Sequence, residues 1–140
     1  MKKFAPVGAL LAVLAGTAVH ADDSDGIEYR QHIMKTLDEE MAAIGMILAN
    51  RAPTDALATH TRILATTAAT AKKAFEPKIP GGEAKPEVWA NWADFAKRLD
   101  ALTAATGQLA QVDAAAATGV RADLATACKG CHDQYRVPKK

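Results

Sequence analysis

Cysteine is scarce: the 140 residues hold only Cys128 and Cys131, and both stand within four positions of each other. A disulfide framework spaces its cysteines to close long loops, so this pair is not one. Aromatic residues make up 5% of the chain and do not alternate with polar ones as half-buried strands require, which argues against a β fold. Neither charge sign dominates, 17 Lys and Arg facing 16 Asp and Glu. Such a balance gives no electrostatic case for nucleic acid or an anionic membrane. The length suits one domain with a real core and is too short for two. Gly81-Gly82 lacks the lysine, the further glycines and the preceding strand of a phosphate cradle. No serine or cysteine nucleophile arrangement is present, and adjacent Glu39 and Glu40 read as a solvated patch rather than an acid/base pair.

What is present begins with a leader. Lys2 and Lys3 form a positive start, an apolar run covers residues 7–19, and Val19-His20-Ala21 offers a small-residue cleavage site. That order is the pattern of a secretory signal peptide, so residues 1–21 are expected to be removed and 22–140 to form the working domain. A retained anchor is the alternative, and the run is short for a span. Loss of two lysines and no acid leaves fifteen basic against sixteen acidic residues, a net charge of −1. No later segment approaches spanning length, so a soluble exported protein is expected.

The rest of the chain carries helical periods. Ile27, Met34, Leu37, Met41, Ile44 and Leu48 mark one face of a first helix over about 27–49, ended by Asn50 and Pro53. Thr54 is the expected N-cap of a second helix, with Leu57, Leu64, Ala68, Ala71 and Phe75 inward. His60 lies near that stripe as a core-edge histidine with a hydrogen-bond partner. Three prolines and a Gly-Gly pair make residues 76–86 a loop. A third helix is expected from Pro86 to about 109, through Trp92, Phe95, Leu99, Leu102 and Leu109. Trp89 and Trp92 read as core and loop anchors. A fourth covers 114–135, with Val120, Leu124, Ala127, Cys128, Cys131 and Tyr135 on one side. Four amphipathic helices joined by short turns and one longer loop predict an all-α, antiparallel up-down-up-down bundle.

Residues 128–132 read Cys-Lys-Gly-Cys-His, the attachment pattern of a c-type haem. Positions i and i+3 share a helix face, so two thiols can reach two vinyl groups on one porphyrin edge, while the adjacent His132 offers an imidazole nitrogen to the iron. A thioredoxin-like site would follow a strand, and a structural zinc site would need four ligands. Near the start, Met34 sits on the apolar stripe with Arg30 one turn earlier on the same side. Met34 is either a sixth iron ligand or an ordinary core methionine. Arg30 either pairs with a haem propionate or lies on a solvated face. His32, two residues before Met34, falls on roughly the opposite face and reads as a surface histidine.

A Cys-x-x-Cys-His near the C-terminus of a four-helix chain, with Arg-Gln-x-x-Met near its start, resembles the class II cytochromes c. The likeness extends to Ala84-Lys85-Pro86-Glu87-Val88-Trp89 and to the ending Cys131-His132-Asp133-Gln134-Tyr135-Arg136. It implies a four-helix bundle around one covalent haem c, held by Cys128 and Cys131 with His132 on the iron, in the periplasm. By the same resemblance, Arg30 and Gln31 match positions that contact the propionate, and Met34 matches the distal position. In one branch of the family, the cytochromes c′, the iron is five-coordinate beneath an apolar side chain and binds NO or CO. In the other, a methionine of the first helix ligates a low-spin iron and the protein carries electrons. The Phe75-Glu76-Pro77-Lys78-Ile79-Pro80 segment, in place of the Gly-Thr/Ser-Glu of many cytochromes c′, tips the expectation toward the Met34-ligated electron carrier, with the NO- or CO-binding protein as the alternative. An enzyme such as a peroxidase is not expected. The expected partners are periplasmic redox proteins, with a second copy of the chain in a homodimer as a further candidate, and neither nucleic acid nor, after cleavage, a membrane.

Overall fold

In the computed structural model, which describes residues 22–138, the secondary structure is helical, with only isolated bridges and no strand among the described residues. The expected leader, residues 1–21, lies outside the described residues. Helix α1 (Asp23–Leu48) starts four residues before the hydrophobic period does. Its first turn is polar and is held by a capping box. Asp22 Oδ1 accepts from the Asp25 N–H at 3.0 Å, and Asp25 Oδ2 accepts from the Asp22 N–H at 3.2 Å, satisfying two orphan donors reciprocally. It ends as expected, with Asn50 in the left-handed region at φ 54°, a conformation asparagine tolerates.

Thr54 does not cap the next helix as expected. It opens a single 3₁₀ turn, Thr54–Ala56, and α2 (Leu57–Phe75) follows without a side-chain cap. The third expected helix is broken in two, a one-turn α3 (Glu87–Ala90) and α4 (Trp92–Leu109), with Asn91 between them at φ −115°, ψ 41°. The break has a local cause. Val88 is buried, and the Trp89 indole N–H donates to the Phe75 carbonyl at the end of α2, 2.9 Å away. These anchors fix α3 on α2, and Asn91, whose side chain competes with helical backbone bonding, takes up the change of direction. Helix α5 (Ala114–Tyr135) has the bounds expected, its N-cap Asp113 accepting from the Ala116 N–H at 2.9 Å.

The four long helices pack in chain order, α1 on α2, α2 on α4, α4 on α5, and α5 returns to α1. This is the expected four-helix bundle. The α1–α5 seam is much the sparsest of the four. The interior divides into two clusters. One holds Leu37, Ile44, Leu64, Ala68, Leu109, Ala117 and Leu124; the other holds Ala71, Ala74, Phe75, Val88, Phe95, Leu99 and Tyr135. Ile33, Met34 and Leu102 touch both. On α5 the inward arc is narrower than expected, passing through Leu124, Cys128, Cys131 and Tyr135, so that Ala127 is exposed. No described helix is long and apolar enough to cross a membrane.

Candidate functional site

The loop of residues 76–86 is tied down beside the C-terminal end of α5. Gly81 and Gly82 have φ values of 126° and 62°, open to glycine because it has no Cβ. A Cβ at either would come within 2.9 Å of the Ile27 side chain. The Val137 N–H donates to the Glu83 carbonyl at 2.8 Å and the Lys85 N–H to that of Tyr135 at 3.0 Å. The Lys85 ammonium donates to the carbonyls of Asp133 and Gln134 at 3.4 and 3.2 Å, where a cation suits the negative end of the helix dipole.

On α5, Cys128 and Cys131 are half-buried and are not joined in a disulfide. Cys128 packs against the first core cluster and Cys131 against the second, so the pair straddles the division in the interior. Burial pushes both thiols up in pKa; for Cys128 the Asp38 carboxylate adds to this, and for Cys131 the nearby Arg98 charge opposes it. Protonated thiols lack the activated thiolate of a redox Cys-x-x-Cys site. Among the described residues no cluster of three His, Cys, Asp or Glu could hold a metal ion. His132 lies half-buried in the last turn of α5, its carbonyl accepting from the Arg136 N–H at 3.0 Å.

The register of α1 against α5 brings the two motifs to one level. Arg121 Nε donates to the Met41 carbonyl at 3.1 Å. Seven residues back along α1 stands Met34, and seven residues on along α5 stands Cys128. Each step is about two turns, roughly 10 Å, and because the helices are antiparallel both run toward the same end. Met34 is half-buried and touches both core clusters, next to the division that the cysteines straddle.

Arg30 is only 3% exposed, which excludes the solvated-face alternative. Its guanidinium lies 5.4 Å from the Phe75 ring centroid and 5.3 Å from that of Trp89, a stacking that suits its planar charge. Nη2 donates to the Gly81 carbonyl at 3.3 Å, whereas Nη1 is buried without a partner. Desolvation lowers the pKa of this group. A buried cation facing no anion is costly, so the site has a place for a carboxylate that no described residue supplies. Gln31 is exposed and its side chain lies beside Gly82, next to the glycine that Arg30 meets.

A network that the sequence did not reveal lies beside Cys131. The Tyr135 hydroxyl donates to Asp94 Oδ2 at 2.6 Å, and Arg98 Nε donates to the same oxygen at 2.7 Å. Arg98 also stacks 5.7 Å over the Tyr135 ring and donates to Gln134 Oε1 at 3.0 Å. The Tyr135 hydroxyl, and then Arg98, hold the Asp94 carboxyl below its ordinary pKa, while burial and then Asp94 push the phenol up. The four-residue spacing of Asp94 and Arg98 could have signalled their pairing; nothing local signalled Tyr135. Elsewhere His60 bonds to Glu40 at 2.7 Å, as a core-edge histidine should. Glu40 therefore corrects the reading of a solvated patch: its side chain is 16% exposed, turned under α2 to meet His60, while Glu39 stays on the surface facing Lys35. His32 is on the surface with Glu28, as expected.

Residues 25–136 match the family model described as Cytochrome C'. The chain is 31% identical over 128 residues to a cytochrome c′ of Alcaligenes xylosoxydans xylosoxydans, covering 85% of this chain and 98% of that one. It is 33% identical over 138 residues to a cytochrome c-556 of Agrobacterium fabrum, covering 93% and 92%. Among solved structures, a ferrous variant of cytochrome c prime from Alcaligenes xylosoxidans with bound NO superposes with a TM-score of 0.79 at 27% identity, over 86% of this chain and 99% of that one.

Proposed function

The chain belongs to the cytochrome c′ family, and from that premise we propose that it is a periplasmic monohaem cytochrome that binds small diatomic ligands such as NO or CO. In this reading Cys128 and Cys131 form the two thioethers, His132 holds the iron, and Arg30 receives a propionate. Met34 covers the distal face as an apolar lid. When bound, the haem supplies an iron that changes oxidation state and accepts a small ligand. The observation that carries the reading is the Arg30 guanidinium, buried between Phe75 and Trp89 with Nη1 unpartnered. It borders the cluster that Cys131 packs against, so a propionate reaching Nη1 belongs to the same group that joins the thiols. The donor set of two neutral thiols, one imidazole and one buried cation fits a haem c.

The residues divide the work. Thioethers from Cys128 and Cys131 would fix the group on α5, His132 would offer a ligand to the iron, Arg30 would neutralise a propionate away from water, and Met34, Ile33 and Leu102 would give it apolar surroundings. This weighs against the expectation of a Met34-ligated carrier, because the relatives named cytochrome c′ and the neighbour with bound NO favour an open distal position. A second reading has an observation of its own. A thioether stands level with the attachment motif, and the relatives include cytochromes c-556. If its sulfur bonds the iron, the protein exchanges electrons with periplasmic redox partners. Export rests on the leader pattern, and the role is reversible binding without turnover.

Absorption spectra of the purified ferric and ferrous protein test this. The proposal expects high-spin iron in both states and direct CO binding by the ferrous form, made faster by Met34→Ala. Low-spin spectra in both states, with a far-red sulfur-to-iron band that Met34→Ala abolishes, would transfer the assignment to the electron carrier.

A further inference from the structure

The sparse seam between α1 and α5 is spanned by one side chain whose surroundings are built for it. Arg121 leaves α5, donates from Nε to the Met41 carbonyl at 3.1 Å, and lays its guanidinium across Gly45. A Cβ at Gly45 would stand 2.5 Å from Nη2 and 2.9 Å from Cζ. Glycine inside a helix costs about 1 kcal/mol relative to alanine, and here the missing Cβ is what lets the guanidinium lie flat on α1. An alanine would push Arg121 aside, and because Nε is held at Met41, moving it breaks that bond. Lacking the dense side-chain packing of the other seams, α1 is held to α5 at this point by a charge-assisted hydrogen bond. The contact is two turns from Met34 on one helix and two turns from Cys128 on the other.

We propose that Arg121 is a positioning residue: by clamping α1 to α5 across Gly45 it sets how closely the Met34 lid approaches the haem face, and so controls ligand entry. The proposal rests on the reading of α5 as the haem-bearing helix and α1 as the distal one. Its observed partners are the Met41 carbonyl and Gly45, so Arg121 acts through the separation of the two helices.

The test compares Arg121→Leu, Arg121→Lys and Gly45→Ala in the full haem-loaded protein, with Asp113→Ala, which removes the N-cap of α5, as a variant that destabilises the helix without touching the clamp. Two quantities are read: the rate of CO association with the ferrous form, and hydrogen exchange of the α1 amides around residues 41–48. The clamp predicts that Arg121→Leu and Gly45→Ala each raise the CO rate about tenfold, equivalent to about 1.4 kcal/mol on the barrier, and speed exchange in that segment. Arg121→Lys, which keeps a donor for the Met41 carbonyl, should recover most of the wild-type behaviour, and Asp113→Ala, whatever its loss of stability does to amide exchange, should leave the CO rate unchanged. The ratio of variant to wild-type rates reads the clamp in either coordination, since CO enters an open site directly and a Met34-bonded one only as fast as the thioether leaves. The wild-type spectrum alone decides between those coordinations. A CO rate in Arg121→Leu within twofold of wild type, or an equal rise in Asp113→Ala, would overturn the clamp.

Discussion

Arg30 is the residue at which the sequence and the interior disagree most about what a cation should do. A guanidinium in water needs no partner, but one stacked between two rings with a buried, unpaired nitrogen does, and a propionate of the proposed haem would answer that need. Replacing Arg30 with Leu should therefore lower the haem reduction potential by tens of millivolts, since a nearby cation disfavours the more positive ferric state; a one-electron potential moves about 59 mV for each tenfold change in equilibrium constant. Because Arg30 is buried, the shift should survive high salt. Redox titration of both proteins at low and high ionic strength checks this, and an unchanged potential removes Arg30 from the site. Asp94 supplies the pH dependence at this scale. Its folded pKa is lowered by Tyr135 and Arg98, so its contribution is present above the ordinary carboxylate value of about 3.9 and is lost as pH falls through the lowered one. The gap in unfolding midpoint between wild type and Asp94→Asn should be largest at neutral pH and close in acid. A gap that is constant with pH would mean that the carboxylate charge contributes nothing. The placing of Cys128, Cys131 and His132 together on the last turns of α5 was legible because their spacing lies within one helix. Arg30 was legible only as sharing a face with Met34; its ring partners, Phe75 and Trp89, come from elements more than forty residues away. Glu40 was misread for the same reason, its partner His60 lying on another helix.

Among the elements, α5 shows what a periodic pattern conveys and what it omits. Its bounds were readable from Asp113 and from the stripe ending at Tyr135, whereas Asn91 breaks the third expected helix because of tertiary anchors at Val88 and Trp89 that no local pattern records. The cap at Thr54 failed for a related reason, the chain taking a 3₁₀ turn before α2 begins. On α5 only Ala117, Leu124 and Tyr135 are buried, so Leu124 is its fully buried large aliphatic anchor in the first cluster, with Val120 partly buried beside it. Leu124→Ala should destabilise the protein by about 2–5 kcal/mol, the cost of a cavity in a close-packed site, read as a fall in the denaturant midpoint. Asp113→Ala should cost about 1 kcal/mol through the lost cap. If Leu124→Ala cost no more than the cap variant, the first cluster would not hold α5 in place.

Taken whole, the bundle is divided, with two clusters and a cysteine pair bridging them. In the proposed reading, the haem held by the cysteines would complete such an interior. The double variant Cys128→Ser/Cys131→Ser should therefore lose its haem to acid-acetone extraction and, without it, lose cooperative unfolding; a native-like, fully helical haem-free protein would count against this. The bundle itself was legible because helical periods and loop lengths are local, while the division of its core emerges only when the helices are assembled. The claim on which everything else rests is one haem covalently shared by Cys128 and Cys131, and trypsin offers a direct measurement. Lys129 lies between the two cysteines, so cleavage there separates residues 122–129 from 130–136 unless something joins them. Mass spectrometry of the digest should find both peptides in a single species whose mass exceeds their sum by one haem, with neither thiol open to alkylation. Two separate peptides carrying free, alkylatable cysteines, or a pair joined by a disulfide alone, would contradict it.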